Sequence, residues 1–350
     1  MITEERLAAL EAQMAALVEP PTEYYTSRYS GEEIDKGVDG ALQLGGASTP
    51  QGAIAALGAG VRPKLNDNPF FLVNQRGQSS YTGPGYGPDR WMVTGQHKLD
   101  MLDGGGVKLT IASGSNTNQM IQQYLEPEIF EQLNGKRVTL AVIVTGNSMS
   151  LPTYFRVGNV AYGNIPAGQT GLFFATATIN YNTGQNYIGL QCSDRANQNG
   201  QSISLRAFTM EEGSIQTLGY QDSSGVLQLL ERPDPVELLK CRRYQQVILP
   251  EANRTTVFVG TGVFTTNSRA RIFVPYPVPL RTRPSLSFNG NFAVTDGSSP
   301  YTVSAINLEY SSVNGATILA DTNAASAIGH PAMLRIDSDA TGRFIFDANL

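Results

Sequence analysis

Apolar and polar residues alternate in short segments through the middle of the chain. Val107, Leu109 and Ile111 alternate with Lys108 and Thr110, and this period of two predicts a strand with one buried face. Similar segments place the following residues on one face of each strand: Val138, Leu140, Val142 and Val144; Leu172, Phe174, Thr176 and Thr178; Ile188, Leu190 and Cys192; Ile203, Leu205 and Ala207. Turn sequences such as Asn-Gly separate them, so we expect an antiparallel β-sandwich or jelly roll.

Near the amino end the apolar spacing becomes three and four. Leu7, Leu10, Met14 and Leu17 form one stripe on a predicted helix at 3–18. A helix of this length is marginal by itself in water, so the stripe must be covered. Either the rest of the chain covers it, or sister helices do in a parallel bundle, and these leucines do not determine how many helices associate.

Capping patterns predict further short helices. Two of them lie at 30–42 and from Thr49 to about Gly58, and they form either a collar or a plain helical linker. A single helical turn is expected after Pro127. Another helix is expected from the Asp234-Pro235 start to about Tyr244, where it marks a boundary.

Strand patterns return after this helix. They lie at 256–264, 270–274, 284–288, 302–310, 333–337 and 344–347. The expected fold class is therefore mainly β: N-terminal short helices, then a jelly-roll-like β-sandwich, then a C-terminal β-sandwich domain. The boundaries are 1–19 for the coiled-coil helix, 20–65 for the collar or linker, 66–232 for the first sandwich, 233–245 for the connecting helix and 246–350 for the C-terminal domain.

Composition narrows the classes of partner. The net charge is −5 and only 16% of residues are charged, with no basic run, so nucleic acid is not an expected partner. The chain opens on acidic residues, which predicts no signal peptide, and the longest apolar stretch is too short for membrane insertion. Cys192 and Cys241 could pair, but two buried thiols are the favoured interpretation.

Candidate catalytic chemistry is sparse. No motif connects His97 or His330 to a nucleophile, and Asp89 beside Arg90 is interpreted as a structural ion pair or a turn acceptor. We therefore expect no enzyme, no metal site and no cofactor.

A polar loop with two aromatic residues is the candidate binding site. It runs from about 289 to 301, and its amide and aromatic groups suit sugar hydroxyls and ring faces, although an ordinary loop explains them equally well. The candidate ligand-binding residues are Asn289, Asn291, Phe292, Asp296 and Tyr301.

The stretch 66–91 carries a family resemblance. It begins with a short apolar segment at 70–73, predicted to be a strand, within Asn-Pro-Phe-Phe-Leu-Val-Asn-Gln-Arg-Gly, and it ends in Tyr-Gly-Pro-Asp-Arg-Trp. These motifs resemble the opening strands of the carbohydrate-module-like β-sandwich in bacteriophage and prophage tail-fibre proteins. Because Trp91 opens a strand within this signature, the resemblance implies that it lies in the core rather than forming a sugar-stacking platform. The residues at 211–214 and 237–244 are similar to that family's sandwich exit and connecting helix, except that Gln245 stands where the family usually has tyrosine.

The resemblance implies a function and an assembly. It implies a homotrimer in the virion, with the N-terminus on an adjacent phage tail or baseplate protein. The C-terminus would bind a bacterial surface glycan or protein without catalysis. Two alternatives stay open: a purely structural fibre or decoration protein, and a depolymerase that cleaves surface polysaccharide.

Overall fold

The computed structural model describes residues 62–112, 120–181, 185–192, 198–221, 226–230, 236–324 and 326–350. The predicted coiled-coil helix, with Leu7, Leu10, Met14 and Leu17, lies outside the described residues, as does the predicted collar up to residue 61. In the part of the chain that the structure describes, the fold is mainly β, as predicted, with two short helices.

Among its described residues, the first unit contains fourteen strands and one helix. In chain order they are β1 (Ser80–Thr82), β2 (Gly85–Tyr86), β3 (Met92–Thr94), β4 (His97–Met101), β5 (Val107–Ile111), β6 (Met120–Tyr124), α1 (Pro127–Gln132), β7 (Arg137–Asn147), β8 (Thr153–Val157), β9 (Val160–Ile165), β10 (Gly171–Thr178), β11 (Tyr187–Cys192), β12 (Ser202–Glu212), β13 (Gly219–Gln221) and β14 (Leu227–Leu229). The helix α1 confirms the single turn predicted after Pro127.

Two six-stranded antiparallel sheets face each other across one core, and we call this unit the sandwich. Their strand orders are β1-β4-β5-β12-β7-β10 and β2-β3-β6-β11-β8-β9. Leu99 and Leu109 from the first sheet share the core with Phe155 and Ile188 from the second. The predicted β-sandwich is therefore present, and β5 buries the face that its alternating pattern predicted.

Two strands differ from their predicted burial. The seven residues 138–144 of β7 are all buried, because a separate cluster of Phe70, Leu218 and neighbouring residues covers its outer face. In β10 the predicted face is the outer one: Phe174 is 53% exposed, whereas Ala175 and Ala177 point into the core. The inward face of β10 consists of small alanines, so a pattern based on large apolar residues does not identify it.

The second unit follows a connecting helix. In chain order its elements are α2 (Glu237–Arg242), β15 (Gln245–Ile248), β16 (Val257–Thr266), β17 (Arg269–Pro275), β18 (Ser285–Asn289), β19 (Phe292–Thr295), β20 (Pro300–Ser311), β21 (Gly315–Thr322), β22 (Pro331–Ile336) and β23 (Arg343–Asp347). Cys241 in α2 is buried, and so is Cys192 in β11, as predicted for structural thiols.

The expectation of a second sandwich is wrong. Six strands close into a barrel in the order β16-β17-β21-β20-β19-β22, and β15-β23-β18 form a separate three-stranded sheet. Three strands, β15, β19 and β21, were not predicted. The side chains of Phe344 and Phe346 in β23 join the barrel's apolar core, so the two sheets share one interior.

Glycine allows the barrel to close tightly at β16. A Cβ at Gly262 would lie only 1.8 Å from the carbonyl oxygen of Arg271 on β17. No side chain fits that gap, so the close approach of these two strands depends on glycine.

Candidate functional site

The residues 66–91 form an ordered loop around Asn68 rather than an opening strand. Asn68 is 1% exposed with φ of 51°, and Phe71 also has a positive φ of 56°, so the predicted strand at 70–73 is absent. The Asn68 side chain donates to the carbonyl oxygens of Val73 (2.8 Å) and Asp89 (2.9 Å) and accepts from the Val73 amide (3.0 Å). An asparagine that tolerates this backbone and bonds its neighbours explains the turn.

Trp91 lies in the core, as predicted. Its side chain is fully buried, and its ring centroid lies 4.8 Å from that of Phe71 and 5.4 Å from that of Phe208. The indole Nε1 donates to the carbonyl oxygen of Asn68 at 2.9 Å. Trp91 therefore joins the loop to the sandwich core and offers no ring face to a ligand.

Asp89 and Arg90 are both buried, but they have different partners. Asp89 accepts hydrogen bonds from the backbone and side-chain nitrogens of Gln75, which confirms the turn-acceptor alternative. Burial raises the pKa of the Asp89 carboxyl. Arg90 donates through Nε to Asp67 at 2.9 Å and through Nη2 to the carbonyl oxygen of Tyr124 at 2.6 Å.

The same loop contacts the second unit. Gln75 Nε2 donates to the carbonyl oxygen of Gln245 at 2.9 Å, and the Tyr86 hydroxyl donates to that of Leu350 at 2.6 Å. Gln245 is 2% exposed, and its side-chain amide makes no hydrogen bond with the described residues. The resemblance motif is therefore the seam between the two units.

Arginines complete this seam. Arg76 lies 3.4 Å from the Asp347 carboxylate, and its carbonyl oxygen accepts a hydrogen bond of 2.8 Å from Arg343 Nε. The guanidinium carbon of Arg90 lies 3.4 Å from the centre of the Tyr244 ring, in a cation–π contact. These contacts hold the barrel unit against the sandwich.

A cleft of about 380 Å³ opens beside Arg90 in the seam. The Tyr244 hydroxyl donates to Glu126 at 2.7 Å, and Arg243 lies 3.6 Å from the same carboxylate. Because Arg90 is bonded to Asp67, the polar groups around this cleft bond mainly to one another. We interpret the cleft as part of the structural seam.

A second groove, of about 460 Å³, lies on the barrel. It opens where β19 begins, because β20 has 12 residues and β19 only 4, so β20 continues past the end of its neighbour. The groove is lined by Phe288, Gly290, Asn291, Phe292, Thr302, Val303, Ser304, Ala305, Ile306, Asp337 and Ser338. We call this the barrel groove.

The loop before β19 is fixed by Asp339. The Asp339 carboxylate accepts from the amide of Asn291 (3.1 Å) and from the amide (2.8 Å) and hydroxyl (2.7 Å) of Thr341. These hydrogen bonds, those from Thr341 above all, lower the pKa of Asp339. Gly290 has φ of 106°, and a Cβ there would lie 2.6 Å from the Cα of Gly342. The hydrogen bond from the Asn291 amide to Asp339 and the close packing at Gly290 therefore fix the backbone of Asn291 in the groove.

Phe288 supplies an aromatic side chain to the groove. Its ring lies 5.7 Å from that of Phe292 and 5.9 Å from that of Phe344, both of which are buried. Phe288 itself is 42% exposed. Buried rings thus support an aromatic side chain that stays partly open to solvent.

The structure separates the five predicted ligand-binding residues. Asn291 and Phe292 line the barrel groove, although Phe292 is only 7% exposed and mainly supports Phe288. Asn289 lies beside it and donates to the carbonyl oxygen of Thr341 at 3.1 Å. Asp296 and Tyr301 lie at the opposite end of β19, so the expected single loop does not exist.

Asp296 has a structural role at that opposite end. Its carboxylate accepts hydrogen bonds from the hydroxyls of Ser298 (2.7 Å), Tyr301 (2.8 Å) and Ser326 (3.0 Å). These bonds, first those from Ser298, lower its pKa strongly. The carboxylate therefore holds the turn between β19 and β20.

Sequence reasoning missed Phe288, Thr302, Ser304, Asp337 and Ser338 as groove residues. Phe288 ends the predicted strand at 284–288, and Asp337 ends the predicted strand at 333–337. The one feature of the sequence that could have indicated this groove is the aromatic residue Phe288 at the end of a predicted strand. Only the fold shows that these three segments meet.

The two histidines lie in different environments. His97 is 2% exposed in β4, its Nδ1 has no hydrogen-bond partner among the described residues, and burial lowers its pKa from 6.5 to about 4. His330 is exposed, and its Nδ1 lies 3.9 Å from Asp296. Neither histidine lines the barrel groove.

His97 makes stability depend on pH in a defined direction. Between pH 6.5 and about 4 the imidazole of His97 is protonated in the unfolded chain but stays neutral in the folded chain. The contribution of His97 to the free energy of unfolding is therefore complete above pH 6.5 and is lost as the pH falls. We expect the difference in free energy of unfolding between wild type and His97→Gln to shrink in this window. Urea unfolding at several pH values measures it, and parallel curves for the two proteins would contradict the assignment.

No group of three or more His, Cys, Asp or Glu side chains among the described residues could hold a metal ion. No helix formed by these residues has the length and apolar character needed to cross a bilayer.

Comparisons with known proteins find no related sequence. No family model and no curated protein matches the chain. Among solved structures, the tandem CBM22 domain from Paenibacillus barcinonensis Xyn10C is 9% identical with a TM-score of 0.28, and the match covers 83% of this chain and 99% of that one.

Two other solved structures match with similarly low sequence identity and TM-score. Discoidin II of Dictyostelium discoideum is 13% identical with a TM-score of 0.19, covering 70% of this chain and 83% of that one. The arabinose-bound MgGH51 α-L-arabinofuranosidase is 10% identical with a TM-score of 0.27, covering 53% of this chain and 34% of that one. The chain thus spans about a third of that enzyme's length, and TM-scores this low carry no conclusion about fold or function.

Proposed function

We propose that this protein is a non-catalytic attachment protein that binds a bacterial surface glycan in its barrel groove. The observation that carries the proposal is the composition of the groove. An exposed aromatic residue, Phe288, lies beside the side chains of Asn291, Thr302, Ser304 and Ser338. Aromatic rings pack against the apolar faces of sugars, and amides and hydroxyls both donate to and accept from sugar hydroxyls.

The groove's carboxylates favour binding over hydrolysis. Glycosidases that use the common mechanism need two carboxyl groups facing the scissile bond. Among the described residues that line the barrel groove, Asp337 is the only carboxylate, and it lies 2.8 Å from Arg335. Asp339 lies behind the loop and is bonded to Thr341 and Asn291. This arrangement suits recognition better than general acid and base chemistry.

The wider assembly is part of the same proposal. The leucine stripe at Leu7, Leu10, Met14 and Leu17 would join three copies, and the N-terminal region would attach the trimer to an adjacent phage tail or baseplate protein. The barrel would face the bacterium, so three grooves would act together and raise the effective affinity for a repeating glycan. The resemblance of residues 66–91 to tail-fibre proteins supports this location in the virion.

Replacing Phe288 with alanine tests the groove. We expect binding of purified bacterial surface polysaccharide to weaken about tenfold, equivalent to about 1.4 kcal/mol, because the aromatic contact is lost. Phe174→Ala is the matched control, since Phe174 is similarly exposed, at 53%, but lies on the sandwich. Biolayer interferometry with immobilised polysaccharide measures both variants.

The outcomes separate the alternatives. Equal loss in the two variants would place recognition outside the barrel groove. No binding to whole host cells by the wild-type protein would favour a purely structural fibre or decoration protein. Release of reducing ends from the polysaccharide would favour a depolymerase.

A further inference from the structure

We propose that the barrel groove selects neutral glycans and rejects acidic ones, an inference that rests on the proposed glycan binding. The groove contains hydroxyl and amide groups and a single carboxylate, Asp337. None of the described residues that line it is lysine or arginine. An acidic sugar such as a uronic acid would bring a negative charge toward Asp337 with no cation in the lining to receive it.

Two arginines close in sequence to the lining residues already have partners. Arg335 lies 2.8 Å from Asp337, so the two charges compensate each other and the pair carries no net positive charge for an acidic ligand. Arg343 donates to the carbonyl oxygens of Arg76 (2.8 Å) and Thr341 (2.6 Å), which directs its guanidinium toward the seam and its own loop. Neither arginine is placed to form the bidentate contact by which proteins usually bind carboxylates.

Arginines on the outer wall of the barrel are paired as well. Arg269 makes two hydrogen bonds to Asp321, at 2.5 and 3.0 Å, and Arg271 makes two to Glu309, at 2.7 and 2.6 Å. Each pair occupies both oxygens of its carboxylate. These two arginines therefore leave no unpaired positive charge for an acidic polymer.

Neutral sugars match the same lining. A hydroxyl of the ligand can donate to Asp337 or to the Ser304 hydroxyl oxygen, and it can accept from the side-chain amide of Asn291 or the hydroxyl of Thr302. The net charge of −5 adds a weak repulsion of acidic polymers, which salt screens. The stronger source of discrimination is the absence of Lys and Arg from the described lining, which leaves an acidic group without a cationic partner at contact distance.

The test compares matched neutral and acidic ligands. The full-length protein is incubated with an array of bacterial surface oligosaccharides that pairs each neutral member with a uronic-acid-bearing counterpart of the same linkage. We expect each neutral member that binds to do so at least tenfold more tightly than its acidic counterpart. Acidic members that bind as tightly as neutral ones, or more tightly, would overturn the inference while leaving glycan binding intact.

A substitution in the groove tests whether the groove is the source of the preference for neutral glycans. Ser304 is exposed on β20, so Ser304→Lys adds a cation to the lining without disturbing the core. We expect it to reduce the neutral preference at least threefold, whereas Ser304→Gln, long but uncharged, keeps it. An unchanged preference in Ser304→Lys would overturn the role of the groove. Binding to no member of the array would instead overturn the proposed function itself.

Discussion

Replacing Trp91 with alanine is expected to lower the free energy of unfolding by about 3–5 kcal/mol. Trp91 is fully buried between Phe71 and Phe208, so alanine would leave a large cavity in the sandwich core. The variant would also leave the carbonyl oxygen of Asn68 without the indole donor. Equilibrium unfolding in guanidinium chloride, followed by circular dichroism, measures the loss.

Trp91→Phe is the matched control for this prediction. It keeps most of the apolar contact but removes the hydrogen bond, so we expect a smaller loss than for alanine. A loss below about 1 kcal/mol for Trp91→Ala would contradict the assignment of Trp91 to the core and would reopen its interpretation as an exposed platform.

Replacing Arg90 with methionine is expected to cost about 1–3 kcal/mol, because it removes a buried donor from the carbonyl oxygen of Tyr124 and the guanidinium partner of Asp67, whose side chain is 21% exposed. The cation–π contact with Tyr244 would also disappear, and this contact joins the sandwich to the barrel unit. We therefore expect the barrel unit and the sandwich to unfold at more clearly separated temperatures in scanning calorimetry.

An exposed ion pair provides the control for Arg90. Lys98 and Asp100 lie 2.8 Å apart with side chains that are 53% and 28% exposed, so Lys98→Ala should cost less than about 1 kcal/mol. If Arg90→Met costs no more than Lys98→Ala and the two units still melt together, Arg90 does not hold the seam.

The sequence predicts strands best where one face of a sheet meets solvent. In β5, Lys108 and Thr110 lie outside while Val107, Leu109 and Ile111 fill the core, so the period of two is complete. The pattern is less informative in β7, where a second cluster buries the outer face, and in β10, where alanines form the inner face. Periodicity reports burial only when large apolar residues occupy a single face.

The barrel shows what local patterns omit. The strand β19 has four residues, all buried, between loops rich in Asn, Gly and Asp, and β21 is built largely from small residues. Their pairing with β20 and β22 closes the barrel, but it depends on contacts distant in sequence. A loop was therefore predicted where a central strand stands.

The resemblance motif had a similar outcome. Its residues predicted a strand at 70–73 and a buried tryptophan, and only the tryptophan is confirmed. The left-handed backbone at Asn68 and Phe71 replaces the strand with a turn, and the loop that follows joins the sandwich to the barrel unit. The sequence motif identified an important segment but did not show which residues that segment contacts.

The sequence by itself determined the mainly β class, the sandwich, the two short described helices and the burial of Trp91 and both cysteines, because each depends on residues close together in the chain. Only the tertiary structure decided the closed barrel and the seam. It also decided the groove, whose Phe288, Asn291, Ser304 and Asp337 come from separate segments. Such a site depends on which strand ends meet, and that is set by long-range pairing rather than by local pattern.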